Sequence, residues 1–179
     1  MFVIRLLVSL FEFVLAVVMS GVVIYITYRV FIRVNPDFDM ELEIRDGNTA
    51  VGVLVGSILF SASMILREGM AAVVGMFRTY VSAPGASDWA LWQLGLLALA
   101  HLTLSMVMAV ITISMTLRLF GKLTTRMEEG KLLKKGNVAV GVLLGSVVLV
   151  AALYVSQGVS AVSKALVPQP SVGQIKIMK

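Results

Sequence analysis

Four ionisable side chains interrupt otherwise apolar stretches of the chain: Glu12, Arg67, Glu68 and His101. A charge inside such a stretch is costly enough that each is a functional candidate by default. Carboxylates and imidazoles change charge near neutral pH when desolvated, which is the chemistry of a proton or cation relay. Two other readings fit the same residues. One is a satisfied polar cluster that fixes helix register. The other is a layer close enough to a membrane interface for Arg67 to reach water along its aliphatic stem. Little else offers chemistry. There is no cysteine and only one His, so disulfides, thiolates and zinc-ligand spacing are excluded. No nucleophile triad, phosphate loop or metalloprotease motif occurs. The expectation is therefore no enzyme, no catalytic residue, no metal and no cofactor. The eleven Met residues read as adaptable packing filler.

The elements that would carry these residues are membrane spans. The chain is 59% hydrophobic and only 14% charged, with a mean hydropathy of +0.96. Soluble domains are nearer half apolar and about a quarter charged. The apolar runs are continuous rather than alternating, which selects helices over a β-barrel. The runs predict helices at about 6–30, 49–75, 92–119 and 138–165. The first is too long for a signal peptide and lacks a small-residue cleavage site. The net charge of +5 gathers at helix ends, which suits lipid headgroups better than nucleic acid.

The chain repeats itself at an offset of 89 residues, without a gap. Gly47-Asn48-Thr49-Ala50-Val51-Gly52 matches Gly136-Asn137-Val138-Ala139-Val140-Gly141, and the match continues through Gly56-Ser57 and Gly145-Ser146. Upstream, Met19 and Arg29 meet Met108 and Arg118; downstream, Gly69 meets Gly158. The division is residues 1–87 for repeat one and 88–179 for repeat two. The expected fold is all-α: an integral membrane four-helix bundle made of two parallel-repeat transmembrane hairpins. Two copies pointing the same way predict a pseudo-twofold axis along the membrane normal. The repeat also sets Glu12 opposite His101, and Arg67 and Glu68 opposite Ser156 and Gln157. Helix rise puts Glu12 and His101 each about 25 Å from Arg29 and Arg118, and Arg67 about 28 Å from Asn48. The six positions form one expected layer toward the outer leaflet, where Arg67 can pair with Glu12 and His101 with Glu68.

The motif of a polar loop, Gly-Asn-x-Ala-Val and a Gly-rich apolar helix resembles the bacterial membrane family called domain of unknown function 350. Both copies carry it, at Gly47 to Ser57 and at Gly136 to Ser146. The resemblance implies a small bacterial inner-membrane protein and no established activity.

Asn48, Gly52 and Gly56 recur every fourth residue, as do Asn137, Gly141 and Gly145, so each set lies on one helix face. Such faces let helix backbones approach closely; with Ser57 and Ser146 they would alternatively line a pore. Asn48 and Asn137 are candidate N-caps. The loops between spans differ in sign. Residues 33–46 carry five acids and two Arg, whereas loop 121–135 carries five bases and two Glu. Asp37, Asp39, Glu41 and Glu43 alternate with apolar residues, which predicts a short amphipathic strand. Four acids on one face lack the calcium-loop pattern and read as a solvated surface or one paired with the basic loop.

Lys and Arg gather beside these two loops, which places them in the cytoplasm and both termini in the periplasm. The expected partners are the lipid bilayer, further copies in a homo-oligomer, and a cytoplasmic protein met through loops 33–46 and 121–135. Two functions remain open: an oligomeric ion-conducting or transport-related component, or a non-conducting scaffold whose loops recruit soluble envelope-stress partners.

Overall fold

The computed structural model describes residues 2–29, 39–82, 91–124 and 127–166, with the side chain of Leu91 left aside. Within them the chain is helical: α1 (Phe2–Thr27), α2 (Met40–Arg45), α3 (Thr49–Ser82), α4 (Leu91–Leu123), α5 (Glu129–Lys134) and α6 (Val138–Leu166). The four long helices are each long and apolar enough to cross a membrane, and together they support a multi-pass membrane protein. No strand occurs among the described residues.

The Gly-Asn pairs explain how each short helix hands over to a long one. Gly47 and Gly136 sit at φ +84° and +75°, the left-handed region that favours glycine. There Gly47 N donates to Ile44 O and Asn48 N to Glu43 O, at 3.0 and 2.9 Å. Gly136 N and Asn137 N donate likewise to Leu133 O and Leu132 O. This is the Schellman arrangement, which satisfies the last carbonyls of α2 and α5. The Asn that follows caps the next helix, accepting from Val51 N in one case and Val140 N in the other.

The strand expected around Asp39 is not there. Asp39 instead caps α2, its carboxylate accepting from Glu41 N and Leu42 N at 3.0 and 3.2 Å. A lone six-residue strand would leave its backbone groups unpaired, whereas a capped helical turn satisfies them internally. Asp37 lies outside the described residues.

α3 is the central helix. It packs against α6 along most of its length, then against α4 and α1. Its core residues include Val51, Ile58, Ile65 and Leu66, which meet Ala109 and Ile113 of α4 and Val148 and Ala152 of α6. α1 is peripheral: it lies on α3, and its approach to α4 and α6 is marginal. This departs from the expected pseudo-twofold. Gly145 presses on the Ser57 side chain, so a twofold would also bring Gly56 against Ser146. Nothing lies within 4 Å of a methyl built on Gly56. The contact joins two different faces, whereas a twofold requires one self-complementary face.

Candidate functional site

Arg67 and Glu68 lie near the middle of α3, whereas Glu12 and His101 lie nearer the N-terminal ends of α1 and α4. α3 runs on to Ser82, so 15 residues, about 22 Å of helix, follow Arg67. Arg67 and Glu68 pair with each other, Nη2 to Oε1 at 3.6 Å, with 81% of the Arg67 side chain exposed. Glu12 is uncovered on α1 and forms no ion pair among the described residues. The expected pairing of Arg67 with Glu12 is thus not made within the chain. α1 and α3 do meet nearby, where the Phe11 and Phe77 rings stack with centroids 4.2 Å apart.

His101 is 2% exposed. Its Nδ1 lies 2.8 Å from Leu97 O. A carbonyl only accepts, so Nδ1 carries the proton, and in the neutral ring Nε2 holds a lone pair. Nε2 is buried and has no hydrogen-bond partner among the described residues; the expected bond to Glu68 is not formed. The enclosure comes from a close crossing of α3 and α4. A methyl at Gly69 would overlap the Ser105 side chain and lie 3.2 Å from His101 O. Ser105 Oγ donates to His101 O at 2.9 Å, satisfying its own helix. Sequence reasoning did not single out Ser105. It also left out Ser61 and Ser163, whose buried hydroxyls have no partner among the described residues. Helical spacing from His101 to Ser105 was the available signal. Ser156 Oγ donates to Leu153 O at 2.9 Å and is buried, whereas Gln157 is exposed.

The two Gly faces behave differently. Gly141 meets the backbone of Ala50, and Gly145 meets Ser57, so these glycines set the spacing of α3 and α6. Gly52 and Gly56 have nothing within 4 Å of a built methyl. Ser57 and Ser146 donate to Val53 O and Val142 O of their own helices, at 2.9 and 2.8 Å. Two open grooves lie near the loop ends, one beside Tyr25 and Arg29 and one beside Ser114 and Arg118. Neither reaches Glu12 or His101.

Asn48 does more than cap. Its Nδ2 donates to Glu43 Oε2 at 2.8 Å and to Leu133 O at 2.9 Å, tying α2 to the end of α5. Met40 and Leu133 are buried beneath this joint. The charged residues Asp39, Glu41, Lys131 and Lys134 remain exposed on it. Glu128 precedes α5 at φ +40° and accepts from Lys131 Nζ at 2.8 Å. That hydrogen bond and the Lys131 charge hold its carboxyl below the ordinary value of 4.5. Among the described residues no cluster of His, Asp and Glu could hold a metal ion.

Comparison with known proteins adds one finding. Residues 5–159 match the family described as Domain of Unknown Function (DUF350). No curated protein and no solved structure matches the chain.

Proposed function

We propose that this chain, which belongs to the DUF350 family, is an oligomeric component of the bacterial inner membrane with ion-conducting or transport-related capacity. Its two similar hairpins would hold loops 33–46 and 121–135 in the cytoplasm and both termini in the periplasm. One observation carries the reading: Glu12 and Arg67 face outward from apolar helices of a single copy. A charge at the centre of a membrane helix costs roughly 2.5–3.5 kcal/mol or more, so these groups need water or another protein surface against them. The tight α3–α4 crossing at Gly69 argues against a path through one copy and for a polar layer between copies. Flux of a panel of ions into proteoliposomes tests this. Flux that Glu12→Gln abolishes supports the reading; no flux with any ion, or flux indifferent to that change, overturns it.

A second reading rests on the α2–α5 joint. Asn48 presents opposite charges side by side at the loop end, a surface suited to recruiting a soluble cytoplasmic protein. A non-conducting scaffold would lose its partner on charge reversal at Lys131 and Lys134 while keeping its fold.

A further inference from the structure

We propose that copies of this protein assemble head to tail, the first hairpin of one copy docking on the second hairpin of its neighbour. The contacts would be those that already join the two hairpins inside one chain. The inference rests on the oligomeric reading above and names the surfaces that it requires.

Inside the chain the second hairpin supplies one face and the first supplies the other. On the second hairpin, α4 buries His101, Ser105, Ala109 and Ile113 in a single helical stripe. Their counterparts 89 residues earlier are Glu12, Ala16, Ser20 and Ile24, and all four are uncovered. On the first hairpin, α3 buries Ala50, Leu54, Ser61, Ile65 and Gly69. Their counterparts on α6 are Ala139, Leu143, Val150, Tyr154 and Gly158, and all are exposed. The contrast is steepest where Ile65 is 0% and Tyr154 73% exposed. The loop ends agree. Leu133 is buried and its carbonyl takes Asn48 Nδ2, whereas Ile44 and Asn137, their counterparts, are exposed.

The first hairpin therefore carries an unused version of the face that the second employs, and the second carries an unused version of the face that the first employs. A twofold relation would consume both within one chain. The observed contact is heterologous, and a heterologous contact continues from copy to copy. Its height change is small. Gly141 meets Ala50 across 91 residues and Gly145 meets Ser57 across 88, which straddle the repeat offset of 89. Corresponding helices thus sit level, so further copies are added in the membrane plane, and a rotation that closes gives a ring.

The docking also resolves the exposed charges. Glu12 takes the position of His101 and enters beside Gly158, where the Tyr154 hydroxyl and the Gln157 amide are hydrogen-bond donors for its carboxylate. Arg67 takes the position of Ser156, inside the same boundary. Arg67 carries its own counterion there, Glu68 at 3.6 Å, and a paired charge is far less costly to bury than a lone one.

The chain has no cysteine, so disulfide trapping is direct. Ser105 Cβ lies 2.8 Å from a methyl built on Gly69, and the counterparts are Ala16 and Gly158. Bridged cysteines have Cβ atoms about 3.8 Å apart, so Ala16→Cys with Gly158→Cys is within reach after a small shift. Gly56→Cys with Ser146→Cys is a second pair, on the other helix contact. All four positions are uncovered in one copy, so folding is not at stake. Oxidised membranes should give a ladder at multiples of 19.3 kDa for each double variant, while each single variant stays at one copy. Single variants that cross-link to themselves would show a self-complementary contact and overturn the proposal. So would the absence of cross-links in both pairs. Native sizing of the unmodified protein separates the failures: several copies without cross-links removes the head-to-tail contact alone, and a single copy removes the oligomeric reading with it.

Discussion

Gly52 and Gly141 occupy the same position in the two halves of the sequence, yet substitution should affect them oppositely. A methyl at Gly141 overlaps Ala50 O and lies 2.9 Å from Ala50 C and Cα. These are backbone atoms, so no side-chain rotation relieves the contact. Ordinary contact begins near 3.5 Å, and Ala50 O, the nearest atom, sets the displacement: α3 and α6 must part by about 1 Å. A gap of that size forfeits roughly a quarter or more of each contact well along the interface. Overpacking of this kind costs about 1–3 kcal/mol, roughly a 5- to 150-fold fall in the ratio of folded to unfolded protein. Gly52→Ala meets nothing within 4 Å in one copy, so replacing a glycine inside α3 should stabilise the fold, by about 0.5–1 kcal/mol. Unfolding followed by circular dichroism in a detergent that holds single copies compares the two. Equal losses, or a larger loss for Gly52→Ala, would refute the asymmetric packing of α3 and α6.

Asn48→Ala removes two side-chain donations and a cap, whereas Asn137→Ala removes a cap alone. The first should cost about 1–2 kcal/mol and clearly more than the second, read from denaturation midpoints. Glu128 titrates below 4.5 in the folded chain, so any stabilisation it adds is complete above that value and fades as pH falls through its folded pKa. Being fully exposed, the pair with Lys131 should add little, and the stability curves of Glu128→Gln and the unmodified protein should coincide above and below pH 4.5. Cysteine at Asp39 or Lys131 should react with impermeant reagents only after the inner membrane is opened, and cysteine at Ser82 in intact spheroplasts; the reverse pattern would invert the proposed orientation.

The four long helices are legible because continuous apolar runs of this length satisfy their backbone as helices, and Asn48 and Asn137 mark where two of them begin. The apolar run ends α3 near 75, yet the helix continues to Ser82, because backbone hydrogen bonding does not stop where hydrophobicity does. The acidic segment was misread for a local reason. Period-two alternation over a few residues is weaker than a capping Asp39 and a left-handed Gly47 that close one helical turn between them. The Gly faces show a deeper limit. Gly52 and Gly141 have nearly identical neighbours in sequence, so sequence equates them, while their packing depends on how one half sits on the other. That relation includes the crossing of Gly69 with Ser105 and the His101 carbonyl, and the counterparts of His101 and Ser105, Glu12 and Ala16, differ in charge and size. For the same reason the six polar residues were placed in one layer by helix rise, but their partners were not. His101 turned out enclosed by Gly69 and Ser105, and Glu12 unpaired.

In an apolar membrane Glu12 and Arg67 must be covered by something other than their own chain. The mass of the particle in lipid nanodiscs, after subtraction of lipid and belt, measures this directly. A protein mass of two or more times 19.3 kDa, shifted toward one copy by Glu12→Leu or Gly158→Leu, is the predicted result; a single 19.3 kDa chain at every protein-to-lipid ratio would contradict it.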